Sequence, residues 1–270
     1  MAFSRRAFVG IGAALTTGAA FASFDANPRD LLIEGRRALW ITPNNVRQSP
    51  LVVLLHGLGE TGNAKAGAYA WWDRYGLRSA CDRLSSPPVS RITKFPYFTD
   101  DALAIVNEKL RLRPFGPLSF FCPHVPNAQT PAQAKQFATW LVQRALPNLR
   151  DRGVAFSKTM LAGCSLGAFI AFETFAAFPE AFSAIAGVQS AISTRSQDRY
   201  AEIFANAKLR GEQIYLSTSS GDPYRAPTRA LVSTLEAKGL APFFHEAPGP
   251  HDQPWLAEVG TVELLMALSR

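Results

Sequence analysis

Histidine and cysteine are scarce in this chain of 270 residues, with four of the first and three of the second. No pair of them stands at a spacing that suits a zinc site. Blocks of basic charge are missing too. Only 18% of residues are charged, and the formal net charge of +7 is scattered rather than run together. That pattern gives no track for phosphates, so nucleic acid is not an expected partner. Nor is there a strongly apolar run of the roughly 20 residues that a membrane span needs. The three cysteines, Cys81, Cys122 and Cys164, allow at most one disulfide. A Cys81–Cys122 bridge and three separate buried thiols both stand open.

What is present begins with MAFSRRAFVGIGAALTTGAAFA. Arg5 and Arg6 precede an uncharged run rich in Gly, Ala and Thr, which closes on Ala20-Phe21-Ala22. The arrangement resembles a bacterial twin-arginine export signal over residues 1–22, removed from a periplasmic or secreted mature chain. Its loss takes away two arginines and no acid, lowering the net charge from +7 to +5. No stable membrane anchor is expected after removal.

Residues 23–270 read as one α/β domain. Leu31–Ile41 suggests one or two strands broken at Gly35. Continuous apolar runs follow at Leu51–Leu55, Leu118–Phe121, Thr159–Gly163, Phe182–Val188, Gln213–Ser217 and Ala241–Glu246. Such runs suit strands covered on both faces. Helical patterns lie between them, one opened by the Thr130-Pro131 cap and others over Leu166–Phe178, Pro227–Lys238 and Pro254–Ser269. The alternation predicts a mostly parallel central sheet with helices on both faces. Residues 61–116 are the least regular stretch, long enough for helices at Asp73–Leu84 and Thr99–Leu112 and for a lid or insertion over the sheet edge.

Three polar residues fall just past strands, in the order Ser165, Asp222, His251. Gly163-Cys164-Ser165-Leu166-Gly167 is G-x-S-x-G between a strand and a helix. A tight turn there forces strain on the serine, and side chains at the flanking glycines would clash. The hydroxyl is lifted clear of the sheet, beside the free N–H groups of a helix start. Serine needs a base, and His251 is the candidate, with Asp222 to hold its tautomer. Asp252, adjacent to the histidine, is less suited to reach its ring in plane. The N–H groups of Leu58 and Leu166 are candidate oxyanion donors. His56 reads as a prop for its loop, His124 as a loop residue, His245 as packed, and Cys164 as packing rather than a nucleophile. Gly57-Leu58-Gly59 lacks the helix and acid of a dinucleotide fingerprint, so no cofactor and no metal is expected.

From Leu51 onward the chain resembles the α/β-hydrolase superfamily, in particular phospholipase/carboxylesterase and acyl-protein thioesterase relatives, through HGLGETG, GCSLG, SGDP and PGPHDQPW. The resemblance implies a serine esterase acting through an acyl-enzyme on a small-molecule ester, with Ser165, Asp222 and His251 as its triad. Those thioesterase relatives usually carry glutamine after the nucleophile, where this chain has Leu166. An acyltransferase, a thioesterase or depolymerase-type esterase, and a silent hydrolase-fold binding protein share the same motifs. Trp71, Trp72 and Trp255 are candidates to line an apolar substrate pocket, with core packing as the other role open to each.

Overall fold

The computed structural model describes residues 26, 28–44, 46, 48–207 and 209–269. The export signal expected at residues 1–22 lies outside the described residues. Strands β1 (Arg29–Ile33) and β2 (Arg36–Ile41) pair as an antiparallel hairpin. Gly35 lies in the turn between them, where the sequence pattern breaks. Next come β3 (Ser49–Leu55), β4 (Ser119–Pro123), β5 (Phe156–Cys164), β6 (Ile185–Val188), β7 (Ile214–Gly221) and β8 (Phe243–Pro250). They form one sheet in the order β1-β2-β4-β3-β5-β6-β7-β8. β2 is antiparallel to β4, and every pairing beyond it is parallel.

The unbroken apolar runs have a direct cause in this architecture. Leu51, Val53 and Leu55 point into one core layer, and Val52 and Leu54 into the other. With helices on both sides, neither face of β3 carries a polar residue from Leu51 to Leu55. One layer is built with α4 (Pro131–Trp140), α5 (Leu146–Asp151), α6 (Leu166–Ala177), α7 (Gln197–Asn206) and α8 (Arg225–Ala237). The opposite layer takes α1 (Ala64–Asp73), α2 (Leu77–Ser85), α3 (Asp100–Leu112), the short α9 (Gln253–Trp255) and α10 (Thr261–Leu268). A full capping box opens α4, since Thr130 Oγ1 accepts from Gln133 N–H while the Gln133 side chain takes the Thr130 N–H.

Residues 61–116 supply α1 to α3. The helix expected at Asp73–Leu84 is divided because Gly76, at φ +76°, interrupts it. Trp71, Leu77, Cys81, Leu84, Phe98, Val106 and Leu110 pack into the second core layer. The connection after α2 is tied down by a fully buried carboxylate. Glu258 accepts the N–H groups of Ile92 (3.0 Å) and Thr93 (2.8 Å), together with the Arg83 guanidinium (3.3 Å). This segment thus forms a structural layer over one face of the sheet. Cys81 and Cys122 share that layer as free thiols, and burial pushes the pKa of both upward. Among the described residues no helix is long and apolar enough to cross a membrane.

Candidate active site

The parallel strands β3, β5, β6, β7 and β8 end along one edge, where open α/β sheets bind ligands. Ser165 follows β5 directly and caps α6, with φ +52° and ψ −121°. A non-glycine residue in that conformation carries about 1–3 kcal/mol of strain. Close packing enforces it. A Cβ on Gly167 would lie 2.2 Å from the Leu55 carbonyl oxygen, and one on Gly163 would lie 2.4 Å from the Gly167 backbone. Both contacts are with backbone, so neither can relax by a rotamer change. Gly167→Ala is therefore expected to cost about 4 kcal/mol, lowering Tm by about 10 °C in a circular-dichroism melt. A melt unchanged within 2–3 °C (roughly 1 kcal/mol) would mean that the turn is not packed this way.

His251 lies just beyond β8, which runs four residues past the expected end at Glu246. Its Nε2 stands 3.1 Å from Ser165 Oγ, and its Nδ1 stands 2.8 Å from Asp222 Oδ1. Asp222, just past β7, is buried. Its Oδ2 accepts the Thr218 hydroxyl at 2.6 Å, and its Oδ1 also accepts the Tyr224 N–H at 3.0 Å. With one oxygen held by Thr218, the carboxylate keeps the other directed at the imidazole. The Tyr224 ring meets the His251 ring edge-on at 5.7 Å between centroids. Asp252 is otherwise engaged, since its carboxylate caps α9 by accepting the Trp255 N–H.

Leu166 is the first residue of α6, and Leu58 the first of a 3₁₀ turn over Leu58–Glu60. Amide N–H groups at such positions have no partner within the helix. Both residues line one cavity with Ser165.

The turn carrying Leu58 rests on groups that the sequence pattern did not single out. Tyr75 donates its hydroxyl proton to the buried Glu60 carboxylate and accepts the Gly57 N–H at 3.3 Å. Gln253 Nε2 donates to the same carboxylate at 3.0 Å. The Leu58 turn is thereby tied to the chain two residues beyond His251. Gln189, which follows β6 at φ +48°, donates to Ser219 Oγ (2.8 Å) and to the Pro250 carbonyl (2.9 Å). It joins the ends of β6 and β7 to the residue before His251. A buried glutamine after an apolar strand was the one available signal.

His56 serves structure. Its Nδ1 donates to the Gly57 carbonyl at 2.8 Å, and its Nε2 accepts the Val125 N–H at 2.8 Å. Both nitrogens are committed to a neutral ring. Burial outweighs the hydrogen bond to Gly57 and holds its pKa down at about 4, against an ordinary 6.5. Between those values the unfolded chain binds a proton that the folded chain refuses. Stability is thus unaffected above pH 6.5 and falls by about 3 kcal/mol as the pH drops to 4. Urea unfolding across this range checks the point: the wild type should lose stability more steeply than His56→Gln. Parallel slopes would show that the ring titrates freely. The second loop histidine, His124, stacks on His56 with 5.6 Å between centroids. His245 lies in β8, paired with Glu263. Burial also pushes the Cys164 thiol upward, which disfavours its thiolate form.

The aromatic pocket expected from three tryptophans is not found. Trp71 and Trp255 are fully buried in the second core layer, and Trp72 packs against the same layer. Trp255 is fixed there by its Nε1 donating to the Pro248 carbonyl at 3.0 Å. Neither cavity beside Ser165 is lined by any of the three. Phe169, Leu166, Ile192 and Tyr224 supply the apolar wall instead.

No family model matches this chain, and no curated protein matches it in sequence. Solved structures do match. A ferulic acid esterase superposes over 91% of this chain and 97% of its own, with a TM-score of 0.64 at 15% identity. An S-formylglutathione hydrolase from Staphylococcus aureus covers 91% of this chain and 96% of its own, at TM-score 0.56 and 12% identity. The enterobactin esterase from Shigella flexneri matches 91% of this chain through 60% of its own, at TM-score 0.53 and 16% identity. This is the α/β-hydrolase fold. Ser165, Asp222 and His251 come together at the edge of that sheet, each just past a different strand and in that chain order.

Proposed function

We propose that this α/β-hydrolase is an exported serine esterase that cleaves carboxylic esters through an acyl-enzyme. The observation that carries the reading is the continuous hydrogen-bonded chain from Ser165 Oγ through His251 to Asp222, at 3.1 and 2.8 Å. His251 Nε2 takes the hydroxyl proton as Oγ attacks the ester carbon. Asp222 holds the Nδ1–H tautomer and stabilises the imidazolium that forms. The N–H groups of Leu58 and Leu166 receive the negative charge that develops on the carbonyl oxygen. His251 returns its proton to the leaving alcohol, and water then repeats the sequence on the acyl-enzyme. Solved esterases among the fold neighbours support this reaction class.

The test uses the chain from residue 23 with p-nitrophenyl butyrate and a fluorophosphonate probe. Nitrophenolate release and a phosphonate adduct on the peptide containing Ser165 are expected. Absence of both would remove the proposal. The export reading rests on Arg5-Arg6 and the small residues before position 23. It expects the chain recovered from periplasm or medium to begin at Ser23, and recovery of the uncut chain in the cytoplasm alone would refute it.

A further inference from the structure

Ser165 stands between two cavities of opposite character. The smaller, about 240 Å³, is lined by Glu60 and Asp252 and by no lysine or arginine, and Arg74 pairs with Glu60 from outside it at 3.4 Å. The larger, about 620 Å³, has an apolar wall near the serine and two guanidiniums, those of Arg195 and Arg199. Ser165, Phe169 and Glu173 recur every fourth residue along α6, so they share one face of the helix. At 1.5 Å rise per residue, Glu173 lies about 12 Å from Ser165 along the axis.

The two arginines are not equivalent. Arg199 is paired with the buried Glu173, with Nη1 on Oε1 and Nη2 on Oε2 at 2.8 Å. Tyr200 donates to the same carboxylate at 2.6 Å, which completes its shell of donors. Glu173 and Arg199 cancel each other. Arg195 has no acidic partner among the described residues. It sits in a turn closed by hydrogen bonds, where Ser196 Oγ donates to the Ser193 carbonyl (2.8 Å) and the Ser196 N–H reaches the same oxygen (3.1 Å). The cavity therefore carries one uncompensated positive charge, while in the opposite cavity Arg74 offsets Glu60 and Asp252 is left as the acid.

We infer that the ester hydrolysed here is a monoanion. It would carry a carboxylate on the arm that enters the larger cavity, several bonds from the scissile carbonyl, where Arg195 meets it. This deepens the esterase reading above and rests on it. A guanidinium offers two parallel N–H donors that match a carboxylate. One free cation balances one charge, which favours a carboxylate over a doubly charged phosphate. Asp252 in the smaller cavity repels the same group, so the charge also selects which way round the ester binds.

The experiment compares matched ester pairs that differ only at the remote end. In one pair the acyl arm of a p-nitrophenyl suberate ends in a free carboxylate or in its N-methylamide. In the other, a butyrate ester carries the carboxylate or N-methylamide on its alcohol arm. Active sites are counted by fluorophosphonate titration, and the readout is the anionic-to-neutral ratio of kcat/KM. In at least one pair the ratio should be about ten at low salt and shrink as salt is added. Arg195→Gln should bring it near one, and Arg195→Lys should retain part of it. Lys238→Gln, which removes the same charge beyond α8, should leave the ratio unchanged. Ratios near one in both pairs, or a ratio that survives Arg195→Gln, overturn the inference while the esterase reading stands. If no ester is cleaved and Ser165 takes no label, the esterase reading falls and this inference falls with it.

Discussion

Ser165→Ala is expected to lower kcat for p-nitrophenyl butyrate by about 10⁶-fold and to abolish phosphonate labelling. The fold should be untouched, because the hydroxyl's hydrogen bond is the one to the His251 side chain. The backbone groups of residue 165, which accept the N–H groups of Ala168 and Ala191 and donate to the Val188 carbonyl, survive the change. A melt matching that of the wild type therefore accompanies the loss of rate. Oxyanion donors and cavity walls remain in the variant, so residual turnover above the uncatalysed rate is expected. Turnover within tenfold of wild type would place ester cleavage at some other residue and leave the serine without a role.

Asp222→Asn should lower kcat by about 10⁴-fold while KM changes little. The amide has nearly the shape of the carboxylate, and Thr218 and Tyr224 still enclose it. What disappears is the negative charge facing Nδ1, which stabilises the imidazolium in the transition state but does little for bound substrate. The double variant Ser165→Ala/Asp222→Asn should be no slower than Ser165→Ala alone, since the base has no purpose without its nucleophile. Stopped-flow and steady-state kinetics on the three proteins separate these outcomes. An Asp222→Asn enzyme with raised KM and wild-type kcat would assign the aspartate to binding instead.

Much of the architecture was legible because it rests on local rules. Leu51–Leu55 is apolar throughout, and only a strand covered on both faces tolerates that. The Thr130-Pro131 signal marks α4 because a cap side chain and a proline both suit a helix start. The helix α7 is hard to read from sequence, since Gln197–Asn206 follows a serine-rich turn and the side chain of its N-cap, Ser196, makes no cap hydrogen bond. β8 reads short for a related reason. Pro248, Gly249 and Pro250 look like a loop, yet Pro250 still pairs opposite Gly221 at the sheet edge.

The tryptophans show where such rules stop. Proximity in sequence to Leu58 and His251 suggested a substrate wall, but α1 and α9 turn Trp71 and Trp255 into the second core layer. A helix residue's neighbours depend on which face meets the sheet, and sequence distance does not carry that information. The aspartates pose the same problem. Asp222 is 29 residues from His251 and Asp252 is adjacent to it, yet it is Asp222 that reaches the ring.

From the sequence alone came the strand and helix order, the strained turn at Ser165 and the three residues past strand ends. Each depends on spacing along the chain and on what a glycine or an apolar run permits. Tertiary structure alone decided how Gln189, Thr218 and the Glu60–Tyr75 pair brace those residues, and how Arg195 comes to face the serine's larger cavity. Those contacts join elements far apart in sequence, and their geometry is set by how helices close over both faces of the sheet.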